Sequence, residues 1–171
     1  MSQNVLSLFG WFVLLLALQV LIFNHIHLLG YATPMVCVMF LLILPSRASR
    51  WVSVTLGFLM GLTIDVFNNT PGMGAAALTA VGLVAPQFRR LYEPNDRADE
   101  DYQPSALTME WPAYIRYVLS ACLLHSALYF LIEAFSFSLW STVLFSILGS
   151  SVVSLFVILA IELIRSGGKR K

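Results

Sequence analysis

Residues 61–80 read GLTIDVFNNTPGMGAAALTA. An apolar run closes on a carboxylate, Asp65. The stretch Asn68-Asn69-Thr70-Pro71-Gly72 turns the chain, which then re-enters through some of the smallest side chains there are. Ser53, Gly57, Gly61 and Asp65 recur every four residues and so share one face of a helix. The three small members of that stripe let a second backbone come close. Gly72, Ala76 and Ala80 make a matching stripe on the helix that follows. The expected unit is a tight hairpin of two helices, with Pro71 and Gly72 setting the turn.

The surroundings say what solvent this hairpin sits in. Of 171 residues, 58% are hydrophobic and 11% charged, and the mean hydropathy is +0.81. A water-soluble surface needs far more charge than that, so a bilayer is the expected solvent. The length suits a single integral membrane domain over residues 1–171. A net charge of +1, with the cations scattered at helix ends, gives no reason to expect nucleic acid as a partner. Cys37 and Cys122 lie inside apolar runs and read as buried structural thiols. Neither has metal-ligand spacing.

Crossing ~30 Å of hydrocarbon takes ~20 residues of helix. About six spans follow: Val5–Phe23, Leu28–Leu44, Trp51–Phe67, Met73–Leu91, Ala113–Phe135 and Leu139–Ile164. The first has no basic leader and no small-residue cleavage site, so it reads as a retained helix. The fold class is an all-α membrane protein, a compact bundle. An acidic loop over residues 92–112 separates the fourth and fifth spans and reads as a solvated connector, with a docking site for a cytoplasmic partner as the alternative. Arg47, Arg50, Arg89, Arg90, Arg97, Arg116, Arg165, Lys169, Arg170 and Lys171 all fall on one side if both termini share it. The positive-inside rule makes that side cytoplasmic, both termini included.

Two polar features stand at the opposite, outer side. Asp65 ends its helix there, although a helix C-terminus is the wrong end for an anion. His125, Tyr129 and Glu133, spaced by four, form a second stripe, with Glu133 outermost. No lysine or arginine is expected on that face. Asp65 and Glu133 are therefore expected to line an outward-facing concavity whose ionic partner comes from another molecule. On that reading Asp65→Ala would weaken partner recruitment while the chain still accumulates. Ser146, Ser150 and Ser154 read as a small-residue packing stripe. Glu162 and Arg165 form an i, i+3 pair that neutralises itself. The chain contains no Gly-rich phosphate loop, H-E-x-x-H helix or G-x-S-x-G, and no nucleophile stands paired with a base at readable spacing. No catalytic centre, cofactor or metal is expected.

The run GFLMGLTIDVFNNTPGMGAAALTAVG resembles the signature of the rod shape-determining protein MreD family: a Gly-rich helix ending in Asp, a Thr/Ser-Pro turn, then a small-residue helix. The segment HSALYFLIEAFSF from His125 is also similar to that family. The chain departs from the pattern where Pro71-Gly72-Met73-Gly74 replaces the more usual Pro-Leu-Gly, and in its long acidic loop. The resemblance implies a non-enzymatic component of the bacterial elongation complex in the cytoplasmic (inner) membrane. The implied partners are MreC above all, with RodA, a class B penicillin-binding protein and MreB in the same assembly, and membrane lipid around them. It also implies a fold similar to the substrate-binding subunits of energy-coupling-factor transporters. Asp65, Asn68, Asn69, Pro71, His125, Tyr129 and Glu133 are the candidate contact or pocket residues. The alternative is a substrate-binding subunit for small-molecule, vitamin-type uptake.

Overall fold

A computed structural model describes residues 2–26, 32–93, 101–134 and 140–167, with side chains from residue 6 onward. The start of the expected second span (residues 28–31), the first part of the acidic loop (94–100) and the basic tail after residue 167 lie outside the described residues. The architecture is all-helical: α1 (Ser2–Leu21), α2 (Val38–Leu42), α3 (Arg50–Asn68), α4 (Met73–Tyr92), α5 (Ala106–Met109), α6 (Trp111–Glu133) and α7 (Trp140–Gly167). Among the described residues, four segments are long and apolar enough to cross a membrane: Leu6–His25, Arg50–Asn68, Trp111–Glu133 and Trp140–Gly167. Large apolar side chains on these helices, such as Phe9, Val66, Phe145 and Phe156, stay exposed. That is the surface of a protein solvated by lipid. Helix α4, with 20 residues, is as long as α1, but it is rich in glycine and alanine and buries much of its surface between α3 and α6.

Among the described helices, α3 and α4 pack backbone to backbone. A Cβ on Gly57 would stand 2.6 Å from the Leu78 carbonyl oxygen, and one on Gly82 would stand 2.5 Å from that of Ser53. One on Gly61 would collide with the Gly74 carbonyl and the Ala75 backbone. Ser53, Gly57 and Gly61 therefore face α4 as the four-residue spacing implies. The matching stripe on α4 is Gly74, Leu78 and Gly82, however, and Ala76 is exposed while Ala80 is half-buried. Gly72 lies outside the helix as its left-handed N-cap, at φ 81°. Counting fours from Gly72 misses the face by two residues, which on a helix is ~200°.

The expected second span is not a spanning helix. Ala32 and Thr33–Leu44 form an irregular segment carrying only the short α2, and Met35–Leu44 are almost wholly buried, at 0–6% exposure. Non-helical backbone survives at membrane depth only where protein satisfies its polar groups. Gln19 of α1 does so with three of its four hydrogen-bonding positions, and its fourth reaches the Asn24 side chain. Its Oε1 accepts from the Val36 and Cys37 amides at 2.8 and 3.1 Å, and its Nε2 donates to the Pro34 carbonyl at 3.0 Å and to Asn24 Oδ1 at 2.8 Å. From α7, Ser150 Oγ accepts from the Thr33 amide at 2.9 Å, and Ser154 Oγ from that of Met35 at 2.7 Å. Ser150 and Ser154 are thus more than a packing stripe. Pro34 explains why the segment cannot be helical through its middle: it lacks an N–H and restricts the residue before it.

Arginines collect at one end of the bundle. Arg89 Nη2 donates to the Ser46 carbonyl, which ties the end of α4 to the turn before α3. Glu162 of α7 is fully buried there, 2.8 Å from Arg165 Nε. It also accepts from the Ala106 amide at 3.1 Å and the Tyr114 hydroxyl at 3.3 Å, and Arg165 donates to the Pro104 carbonyl at 2.7 Å. Self-neutralisation is therefore only part of this pair's role. Residues 101–110 are docked rather than solvated, with Pro104, Ser105, Ala106 and Met109 buried. Ser46 and Tyr102 exchange two further hydrogen bonds across the same junction.

Candidate functional site

The opposite end of the bundle holds a cavity of about 740 Å³. The C-terminal ends of α1, α3 and α6 and the N-terminal ends of α4 and α7 surround it. Four sequence-predicted residues line it: Asn68, His125, Tyr129 and Glu133. The i, i+4 stripe on α6 thus faces a concavity as expected, and α3 contributes through Asn68. Three other predicted residues do not line it. Asn69 is an exposed helix cap at φ 56° in the left-handed region, which asparagine tolerates. Pro71 is exposed in the turn. Asp65 is buried behind the wall.

Asp65 needs no outside cation. Its Oδ1 accepts from the Thr70 hydroxyl at 2.8 Å and the Gly74 amide at 2.9 Å, and its Oδ2 accepts from the Ala75 amide at 2.8 Å. The carboxylate therefore caps the first turn of α4, where free amides and the positive dipole end favour an anion. It sits at the wrong end of its own helix and at the right end of the next one. The expectation of an ionic partner for Asp65 from another molecule is corrected accordingly. Gly74 must be glycine-sized for the cap to form, because a Cβ there would stand 2.9 Å from Oδ1.

His125 is 1% exposed, and neither ring nitrogen has a hydrogen-bond partner among the described residues. Its ring stacks on that of Tyr129, with centroids 6.2 Å apart and planes at 19°. The rest of the wall was not foreseen. Gln19, Asn24, His25 and Thr33 enter from α1 and the segment after it, and Thr142 and Ser146 from α7. Asn24 Nδ2 donates to Asn68 Oδ1 at 2.8 Å, joining α1 to the end of α3. The available signal was a cluster of amides and hydroxyls at one end of otherwise apolar helices. Among the described residues, no lysine or arginine lines the cavity, and Met35, Ile64, Leu78 and Phe130 supply much of its apolar wall. Such a site can hold a ligand by shape and a few hydrogen bonds. Among the described residues, no group of histidine, cysteine and acidic side chains is placed to hold a metal.

The chain matches no protein-family model, no curated protein and no solved structure.

Proposed function

We propose that this chain is a non-enzymatic membrane component of a bacterial elongation complex, of the MreD type. In this reading it binds MreC and helps organise lateral peptidoglycan synthesis alongside RodA, a class B penicillin-binding protein and MreB. The observation that carries the reading is the α3–α4 hairpin. Each element of the family-like signature has a physical task in it: Gly61 admits the α4 backbone, Asp65 caps α4, and Gly72 makes the left-handed turn. A signature kept for architecture suits a scaffold, whose partners need a rigid surface. Asp65 and its turn then belong to that architecture rather than to the partner contact itself. With the arginine-rich end placed by the positive-inside rule, the chain is a multi-pass protein of the inner membrane. Both termini and the docked loop face the cytoplasm, and the cavity faces outward.

Depleting the chain from its own rod-shaped host tests this reading. Cells should round up, and labelled peptidoglycan precursor should no longer be laid down along the sidewall. Rods that keep their shape through several generations without the protein would overturn it. The cavity itself favours a second reading, a substrate-binding subunit for small-molecule uptake. In that case depletion would leave shape intact and abolish accumulation of one solute.

A further inference from the structure

We propose that the cavity is a binding site for a small uncharged amphiphile whose hydroxyl or amide group hydrogen-bonds the His125 ring. The inference does not depend on the scaffold reading. An imidazole buried with neither nitrogen partnered among the described residues is costly, and such groups call for an explanation. A leucine would fill the same position without that cost. Departures of this kind from local stability concentrate at functional sites. A volume of about 740 Å³ lies within the range of small-molecule sites.

The surroundings select the ligand's chemistry. Neutral imidazole offers a donor at one nitrogen and an acceptor at the other, so an uncharged group able either to give or to take, such as a hydroxyl or a primary or secondary amide, can pair with whichever nitrogen it reaches. Stacking on Tyr129 orients the ring, while Met35, Ile64, Leu78 and Phe130 offer an apolar bed. An anion finds no lysine or arginine among the described residues of the wall, and the Gly74 and Ala75 amides at the start of α4 are already taken by Asp65. A cation beside His125 fares no better. Asp65 is committed to three hydrogen bonds, and Glu133 stands about 12 Å further along α6 at 1.5 Å per residue.

The test uses the full chain in detergent micelles and two probes with one apolar body, 4-phenylbutanol and 4-phenylbutyrate. Binding is read by saturation-transfer NMR against empty micelles. The alcohol should bind saturably and the carboxylate should not. His125→Leu should weaken the alcohol about tenfold, the factor for one unmade hydrogen bond, while melting no lower than wild type. Val143→Trp, which fills the cavity from a half-buried wall position, should abolish binding with His125 intact. It also serves if the histidine variant fails to fold. Equal signals from both probes, or unchanged binding by either folded variant, would overturn the proposal. Competition by monooleoylglycerol would assign the site to an uncharged lipid headgroup, and lack of competition to a solute; both uphold the site.

Discussion

Asp65→Ala separates an architectural carboxylate from a contact residue. The substitution deletes a cap that holds the Gly74 and Ala75 amides and the Thr70 hydroxyl. Both amides lie in buried residues, and a buried donor left without a partner costs ~1–3 kcal/mol. Two such donors give ~2–6 kcal/mol, reduced by no longer having to bury a carboxylate. A net loss of about 3 kcal/mol follows. For a chain of this size each kcal/mol moves the melting point by about 2–4 °C, so the variant should melt about 6–12 °C lower. Asp65→Asn keeps one acceptor oxygen but turns an amide N–H₂ toward one of the two donors, so it should fall between the two. The assay is thermal unfolding of purified protein in mild detergent, followed by fluorescence-detected size exclusion, with accumulation in the membrane measured in parallel. The expected result is reduced stability and reduced accumulation together. An Asp65→Ala protein that melts with wild type and accumulates normally, yet loses its partners, would refute the capping argument and restore Asp65 as a contact.

Gly57→Ala and Gly82→Ala each place a methyl against backbone of the facing helix, and should cost ~1–3 kcal/mol by overpacking. Gly10→Ala meets nothing within 4 Å and should stabilise by up to ~1 kcal/mol; the same melting assay ranks all three. Gln19→Leu strips partners from the Val36 and Cys37 amides and from the Pro34 carbonyl, a loss of about 3–5 kcal/mol. That variant should accumulate poorly and expose Cys37 to maleimide. Glu162→Ala leaves Arg165 buried beside the docked loop and should cost about 3–5 kcal/mol. Limited proteolysis should then cut within residues 101–110 much faster than in wild type.

The hairpin was legible because its cause is local. Small residues at four-residue spacing and a Pro-Gly turn have few other uses in an apolar chain. The α6 stripe was legible for the same reason, and it does face a concavity. The described part of the expected second span, residues 32–44, was misread because hydropathy reports that a stretch avoids water, not whether lipid or protein replaces it. Its true setting was written elsewhere, in Gln19 and in the serines of α7, which matter only once the chain has folded around Pro34. Asp65 posed a related difficulty. The wrong-end objection to an anion at a helix C-terminus was sound for α3, and its resolution lay nine and ten residues on, at Gly74 and Ala75. The docking of residues 101–110 could not be read from an acidic, Pro-rich stretch either. It depends on Glu162 and Arg165, some sixty residues away.

The central claim is that this chain serves as a scaffold of the elongation machinery. Affinity purification of the tagged chain from its own membranes in mild detergent, with the co-purifying proteins identified, tests it most directly. The account predicts recovery of MreC together with RodA and its penicillin-binding partner. Recovery instead of cytoplasmic ATPases with a membrane coupling subunit would contradict it, and would make the chain an uptake component with the His125 cavity as its substrate site.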